Sequence, residues 1–457
     1  MYETSGAAPI ANPLELAAEP ATLTDPVAVA DRISAIDVLR GAALLGILLI
    51  NITDFGLPFE GQHNLIVDSP RDTNTNVWFV TTVLFEGKMR ALFSIVFGAG
   101  VILLTERFER RGDVGRVADI YYRRTLWLLA FGLVHSYFFW DGDILARYGL
   151  LGLFLYPFRK LYGPTLVTLG VLVLTLTVPL AAITAWQLER RHAAAVEAQG
   201  QETAGHALTR SERDRLTQWQ DVLDNAHPDA NTIQETLDVY RGGYWKLFVH
   251  RFEDIEPLSV GEFCDTVGMM LVGMGLMKLG VISAASSAKF YAALAVAGFA
   301  FGLPLHTFAT WWTYSRGFDP IDIAWVSATY DPGRLAIALA YIGVVMLVVQ
   351  AGLFRMLTAS LAAVGRMALT NYLATTLVCT TIFNGYGFGL FGSLQRYQLY
   401  FVVLGIWAVQ LVISPIWLRY FLFGPAEWAW RSLTYWQAQA LWRGTPISTA
   451  RLGDELP

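Results

Sequence analysis

Cysteine is nearly absent from this chain. Two residues, Cys264 and Cys379, are all that 457 positions hold, and both sit inside apolar runs. A disulfide framework and a Cys-rich metal site are thereby excluded. Charge is scarce as well. Asp, Glu, Lys and Arg make up 16% of the chain against 54% hydrophobic residues, and a soluble chain of this length carries more charge. No two histidines stand at the spacing of a metal site. There is no P-loop and no repeat with a period of about 20–50 residues. The dense glycine stretch "NGYGFGLFG" at 384–392 lacks the strand-then-helix setting of a nucleotide fingerprint, and reads as a compact re-entrant or surface loop. The first 30 residues are rich in Ala and Pro and lack a basic n-region, so they read as a disordered tail and not as a cleaved signal peptide. No nucleic-acid partner is expected.

What the chain has in abundance is long apolar runs, several of them near or beyond the ~20 residues that cross a bilayer as a helix. The expected fold is all-α: a polytopic helical membrane protein of about ten spans, with approximate limits 36–55, 89–106, 122–140, 143–158, 163–186, 258–279, 288–306, 333–354, 361–384 and 398–421. The short apolar stretch 76–86 is expected to lie at the interface, leading into the second span. The regions then read as a tail 1–31, an N-terminal transmembrane half 32–186, an external helical loop 187–257, a C-terminal half 258–436 and a tail 437–457. Lys and Arg set the orientation. The segment 106–124 carries Arg107, Arg110, Arg111, Arg116, Arg123 and Arg124. Placing it inside makes both termini cytoplasmic and the loop 187–257 external. Two helices are expected in that loop, one over about 209–225 and one opening near Thr232, where "TIQE" has the form of a capping box.

The first span, "IDVLRGAALLGILLINITDFG", interrupts its apolar run with Asp37, Arg40, Asn51 and Asp54. Eleven residues bring a helix about 20° past three full turns, so Arg40 and Asn51 share a face and the two aspartates fall near it. Such a stripe belongs against protein or a water-filled cavity, not lipid. It is expected to face the third span, which repeats the spacing: Arg124 and His135 are eleven apart in "RTLWLLAFGLVHSYFFWDGDIL". The two spans run in the same direction, so His135 and Asn51 lie at similar depth, with Asp143 at the outer mouth to orient the imidazole. Snorkelling explains an Arg near an inner end equally well, and interhelical ties explain a lone His or Asn.

Further polar residues complete the set. Glu86 and Lys88 stand with Arg90 at the entry of the second span, Glu262 and Asp265 at the start of the sixth, and Thr370 and Asn371 in "GRMALTNY". His63 lies in the first external loop. His192, His206 and His227 read as solvated, and His306, near Trp311 and Trp312, reads as part of an interfacial belt. Arg107, Arg110, Arg111 and Arg123 are candidates for holding a cofactor's phosphates, although anionic lipid and the positive-inside rule account for them too. No permanently bound cofactor or metal is expected.

The motifs "IDVLRGAALLGILLINI", "FEGKMRALFSIVFGAG", "FGLVHSYFFWDGDIL", "GEFCDTVGMMLVGMGLMKLG", "GRMALTNYL" and "GPAEWAWRSLTYW" together resemble the YeiB-like family, bacterial multi-span proteins whose C-terminal half is catalogued as domain of unknown function 418. The resemblance implies a bacterial cytoplasmic (inner) membrane location. The N-terminal half is also similar to the heparan-α-glucosaminide N-acetyltransferase family and, more distantly, to the acyltransferase-3 membrane enzymes. Those transfer an acyl group from acyl-CoA to a sugar or similar acceptor. The acyltransferase-3 pattern is Arg-x10-His on the first span, and here Arg40 is followed by Asn51. The heparan-type enzymes have Asn there and use a histidine in the loop just beyond, where the nearest residue of this chain is His63. YeiB-like proteins often read "TNYLLQS" where this chain reads "TNYLATT", with Thr375 in the place of Gln. The resemblance implies a transmembrane acyltransferase with acyl-CoA as donor substrate and a small-molecule or lipid acceptor. His135 or His63 would be the base and Asn51 a donor to the oxyanion. A transporter or lipid-handling protein using the same cavity, and a membrane scaffold, are the alternatives. Membrane lipids are partners in every case, and oligomeric state is not read from the sequence.

Overall fold

The computed structural model describes residues 34–58, 72–110, 114–253 and 257–443. The tail 1–31, His63, Arg111 and the final stretch from 444 lie outside the described residues. Helices α1 (Ser34–Gly56), α2 (Thr73–Leu84), α3 (Lys88–Arg110), α4 (Val117–Phe138), α5 (Leu145–Gly152), α6 (Gly163–Thr175) and α7 (Thr177–Thr203) form the first half. Helices α8 (Arg210–Ala226), α9 (Ala230–Tyr240) and α10 (Tyr244–Glu253) follow in the polar loop. The second half is α11 (Val260–Lys278), α12 (Ala288–Ser315), α13 (Pro320–Ser327), α14 (Tyr330–Gln350), α15 (Arg355–Arg366), α16 (Ala368–Phe383), α17 (Arg396–Tyr420) and α18 (Pro425–Tyr435).

The all-α, multi-pass architecture is as expected, but among the described residues seven segments, not ten, are long and apolar enough to cross a membrane. The third expected span carries two arginines within α4. The fourth is an eight-residue helix followed by a 3₁₀ turn over Tyr156–Lys160. The ninth is broken at Met367, between α15 and α16. The fifth runs further than expected, since α6 and α7 follow almost directly and end at Thr203. Helix α2 packs on α12 and α17 and enters α3 through a short turn. In the polar loop the box at Thr209 and Glu212 starts α8. The expected box at Thr232 does not form. Asp229 caps α9 instead, accepting from the Thr232 N–H at 2.8 Å, because Asp is at least as good an N-cap as Thr. That backbone hydrogen bond holds the Asp229 carboxyl below the usual carboxylate range, as the Thr209 hydroxyl does for Glu212.

Helix α1 sits against α15, α16, α17 and α3. Its closest neighbour is α15: a Cβ on Gly41 would overlap the Leu361 carbonyl oxygen, and one on Gly365 the Asp37 carbonyl oxygen. The same holds where α3 meets α11, at Gly98 over the Met270 carbonyl and Gly273 over the Ile95 carbonyl. Small residues let backbones approach this closely where no hydrophobic force drives helices together. Two apolar clusters fill the space. One runs through Leu44, Leu48, Ile52 and Phe55 to Tyr148, Met270, Phe383 and Leu399. The other joins Ile36 and Leu39 to Leu92, Ile95, Met269 and Ile342.

Candidate active site and buried ion network

Helix α4 ends soon after His135, and the turn that follows carries Asp143 back beneath it. His135 Nδ1 lies 2.8 Å from Asp143 Oδ1, with the His135 side chain 4% exposed and the Asp143 side chain fully buried. Asp143 also accepts from the Ala146 N–H through Oδ2 at 2.8 Å and from the Tyr372 hydroxyl through Oδ1 at 3.2 Å. A carboxylate that only accepts fixes the imidazole with its proton on Nδ1. The other nitrogen, Nε2, is buried and has no hydrogen-bond partner. An imidazole oriented by a carboxylate, with its second nitrogen free, is the arrangement a general base requires.

Tyr372 comes from α16 and lies tilted against His135, at 5.3 Å between ring centroids. It also lines a small gap with Asn51, Leu48, Phe55, Trp140 and Gln410, with room for about one water. Phe55 and Trp140 close the outer end by stacking at 4.3 Å. Asn51 is half-buried here, and its amide makes no hydrogen bond among the described residues. Thus Tyr372 connects His135 to the gap that Asn51 lines. The first-span stripe meets the expected third span only at one end, where Asn51 lines the gap with Trp140. Its inner end lies under α15, where Arg40 pairs with Asp37 at 2.7 Å and reaches the Gly365 carbonyl at 3.4 Å. Its outer end, at Asp54, lies within electrostatic reach of Asp141, Arg396 and Glu86.

Several expected cavity residues are structural. Thr370 donates its hydroxyl to Glu427, whose carboxylate also accepts the Leu369 N–H at 2.6 Å and the Thr370 N–H at 3.1 Å. Glu427, on α18, therefore caps α16. Asn371 ties the helix break to α17, donating to the Val364 carbonyl at 3.2 Å and to Ser414 Oγ at 3.0 Å. Gln410 donates to Thr375 Oγ1 at 2.7 Å, a further tie between α17 and α16. Glu262 completes a capping box with Ser259 and pairs with Arg147 at 2.8 Å. Replacing Glu427 with Ala would leave the first N–H groups of α16 without an acceptor, at a cost of about 1–3 kcal/mol. A lowered melting temperature in detergent, partly restored by Glu427→Gln, is the expected outcome.

A second polar cluster lies between α3, α11, α12 and α14. Arg334 is 0% exposed. It is paired with Asp265 and, at 2.7 Å, with Asp331, and Arg90 approaches Asp265 at 3.5 Å. Lys88 Nζ donates to the Thr82 carbonyl at 2.7 Å and lies 3.2 Å from His306 Nδ1. His306 is thus buried at 4% exposure and is not part of an interfacial belt. Its position deep in an apolar helix was the available signal, as was Arg334 in the run "GRLAIALAYIGVV". His192, by contrast, is exposed and stacks on Trp219 at 4.5 Å.

The arginines expected to hold phosphates are in large part engaged by their own helices. Arg110 pairs with Glu106 at 2.9 Å and Arg123 with Asp119. Arg124 differs: its guanidinium lies 3.7 Å over the ring of Trp430.

A family model described as "Protein of unknown function (DUF418)" matches residues 276–437, which include Arg334, Tyr372 and Glu427 but neither His135 nor Asp143. The chain is 32% identical over 435 residues to the "Uncharacterized protein YeiB" of Escherichia coli strain K12, covering 88% of this chain and 96% of that protein. It is 29% identical over 438 residues to the "Uncharacterized protein YxaH" of Bacillus subtilis strain 168, covering 91% and 98%. It is 26% identical over 414 residues to an "Uncharacterized 39.9 kDa protein in amylase 3'region" of Bacillus acidopullulyticus, covering 90% and 96%. No solved structure matches.

Proposed function

We propose, from the premise that the chain belongs to the YeiB-like family that carries DUF418, that it is a transmembrane acyltransferase with His135 as its general base. The observation that carries this reading is the buried pair of His135 and Asp143 with Nε2 left free. The reaction class is taken from the likeness to membrane acyltransferases that the N-terminal motifs lead us to expect. An acceptor hydroxyl loses its proton to His135 Nε2 as its oxygen attacks the thioester carbonyl of an acyl donor such as acyl-CoA. Asn51 donates its free amide to the oxyanion. The C–O bond forms, the C–S bond breaks, and the imidazolium returns the proton to the departing sulfur. Asp143 stabilises the imidazolium in between, held in turn by Tyr372 and the Ala146 N–H. The test is acyl transfer, or acyl-CoA hydrolysis, by purified protein in proteoliposomes, compared with His135→Gln.

Transport is the second reading. It draws on the buried network of Arg334, Asp265 and Asp331, because ionisable residues at membrane depth mark ion and substrate pathways. It requires substrate flux without acyl turnover.

The proposed location is the bacterial inner membrane with both termini cytoplasmic, from the arginines of 106–124. Cysteines introduced at Gln201 and Gly112 are then expected to label from outside and inside respectively. Labelling at Gly112 by an impermeant reagent in intact cells overturns this orientation.

A further inference from the structure

We propose that Arg124 is the centre of a binding site for a phosphate group, assembled by α4 of the N-terminal half and α18 of the C-terminal half. Three observations lead there. First, the Arg124 guanidinium makes no hydrogen bond or ion pair among the described residues. It is folded onto Trp430 at 3.7 Å instead of extending out of the bundle, and Trp430 is held by its indole N–H, which donates to the Arg124 carbonyl at 2.8 Å.

Second, its surroundings concentrate positive charge: Arg40 and Arg431 both lie within electrostatic reach. Third, the acidic groups nearby are committed elsewhere. Asp37 pairs with Arg40, Asp119 pairs with Arg123, and both oxygens of Glu427 accept from the start of α16. A half-buried guanidinium beside two others, with Glu427 reaching it only through space and no carboxylate in contact, is unfavourable unless an anion completes it. Its planar fork, held flat against an indole, matches a phosphate in two-point contact. The stack on Trp430 separates this arginine from a snorkelling one, which keeps its head in water.

The position also points to the donor. Arg124 and His135 are eleven residues apart on one helix, ~16 Å along the axis. A donor whose phosphate-bearing head and reactive carbonyl are joined by an arm of about that length, as in acyl-CoA, spans the two. This identification rests on the acyl-transfer reading, whereas the phosphate site does not. A phospholipid headgroup offers the same chemistry.

The experiment uses full-length protein purified in a phosphate-free maltoside detergent. Coenzyme A is titrated by calorimetry, and in a second arm phosphatidylglycerol is added to the micelles while the melting temperature is followed. Arg124→Gln is expected to weaken coenzyme A binding roughly ten- to hundredfold. Arg124→Lys, which keeps the charge but not the fork, falls between. Arg110→Gln, at an exposed pair with Glu106, leaves binding unchanged.

If coenzyme A does not bind but phosphatidylglycerol stabilises the wild type and not Arg124→Gln, the phosphate site stands with lipid as its source and the donor assignment falls. If both ligands act equally on wild type, Arg124→Gln and Arg124→Lys, or on none of them, the proposal is overturned. Binding is read without turnover. His135→Gln should therefore bind coenzyme A normally, which keeps failure of this site distinct from failure of the catalytic reading.

Discussion

His135→Gln is expected to reduce acyl transfer by about 10²–10⁴-fold, the range that loss of a general base costs, while expression and melting temperature stay nearly unchanged. Glutamine keeps a hydrogen-bonding side chain beside Asp143 but cannot take up and release a proton near neutral pH. The interhelical tie therefore survives and the chemistry does not. His192→Gln, at an exposed residue of the polar loop, should be silent in the same proteoliposome assay. Full activity of the His135 variant would reduce the buried pair with Asp143 to a structural tie. Full activity of Asp143→Asn would show that the tautomer needs no carboxylate to fix it.

Arg334→Met should destabilise the protein by about 3–5 kcal/mol, the cost of removing one partner from a buried ion pair. The arginine side chain is 1% exposed and its two carboxylates 12% each, so both aspartates lose their nearest counter-ion with little water to replace it. The sharper form of the test adds Asp265→Asn and Asp331→Asn to the same chain. Removing the stranded charges should recover much of the loss, because a buried ion network replaced as a whole is often close to neutral. Thermal unfolding in detergent, or protease half-life, reads both steps. A triple variant no better than Arg334→Met would mean that the arginine acts through packing on Tyr330, 4.9 Å from its ring, and not through charge.

Much of the site was legible because periodicity is local. The eleven-residue spacing of Arg124 and His135 and the nearness of Asp143 are properties of one short stretch of chain. Tyr372 was not legible. It reaches Asp143 because α16 begins anew after the break at Met367, and an apolar run such as 361–384 gives no sign of where its helix stops. Glu427 was hidden for a related reason: it serves a helix far earlier in the chain. The wrong partner for the inner end of the first-span stripe came from matching depths, which says at what level two groups lie but not which helices stand between them. Of the arginines expected to hold phosphates, Arg107, Arg110, Arg111 and Arg123, two already have partners, since Glu106 and Asp119 stand four residues before Arg110 and Arg123 on the same helix. Such i,i+4 pairs were readable in advance.

The glycine contacts that join the helices also limit how the protein can work. Gly41 and Gly365 lock α1 to α15, and Gly98 and Gly273 lock α3 to α11. Each pair bridges the boundary between the sequence-defined halves. A cycle in which one half rocks against the other would have to slide carbonyl groups past one another with no side chains between them to cushion the movement. The same kind of contact seats the end of α9: Tyr240 stacks 4.2 Å over Phe391, the Gly385 N–H donates to the Tyr240 carbonyl at 2.8 Å, and a Cβ on Gly385 would overlap the Arg241 carbonyl oxygen. The polar loop is therefore fastened to the bundle in the way the halves are fastened to each other, and would have to shift with it as one piece.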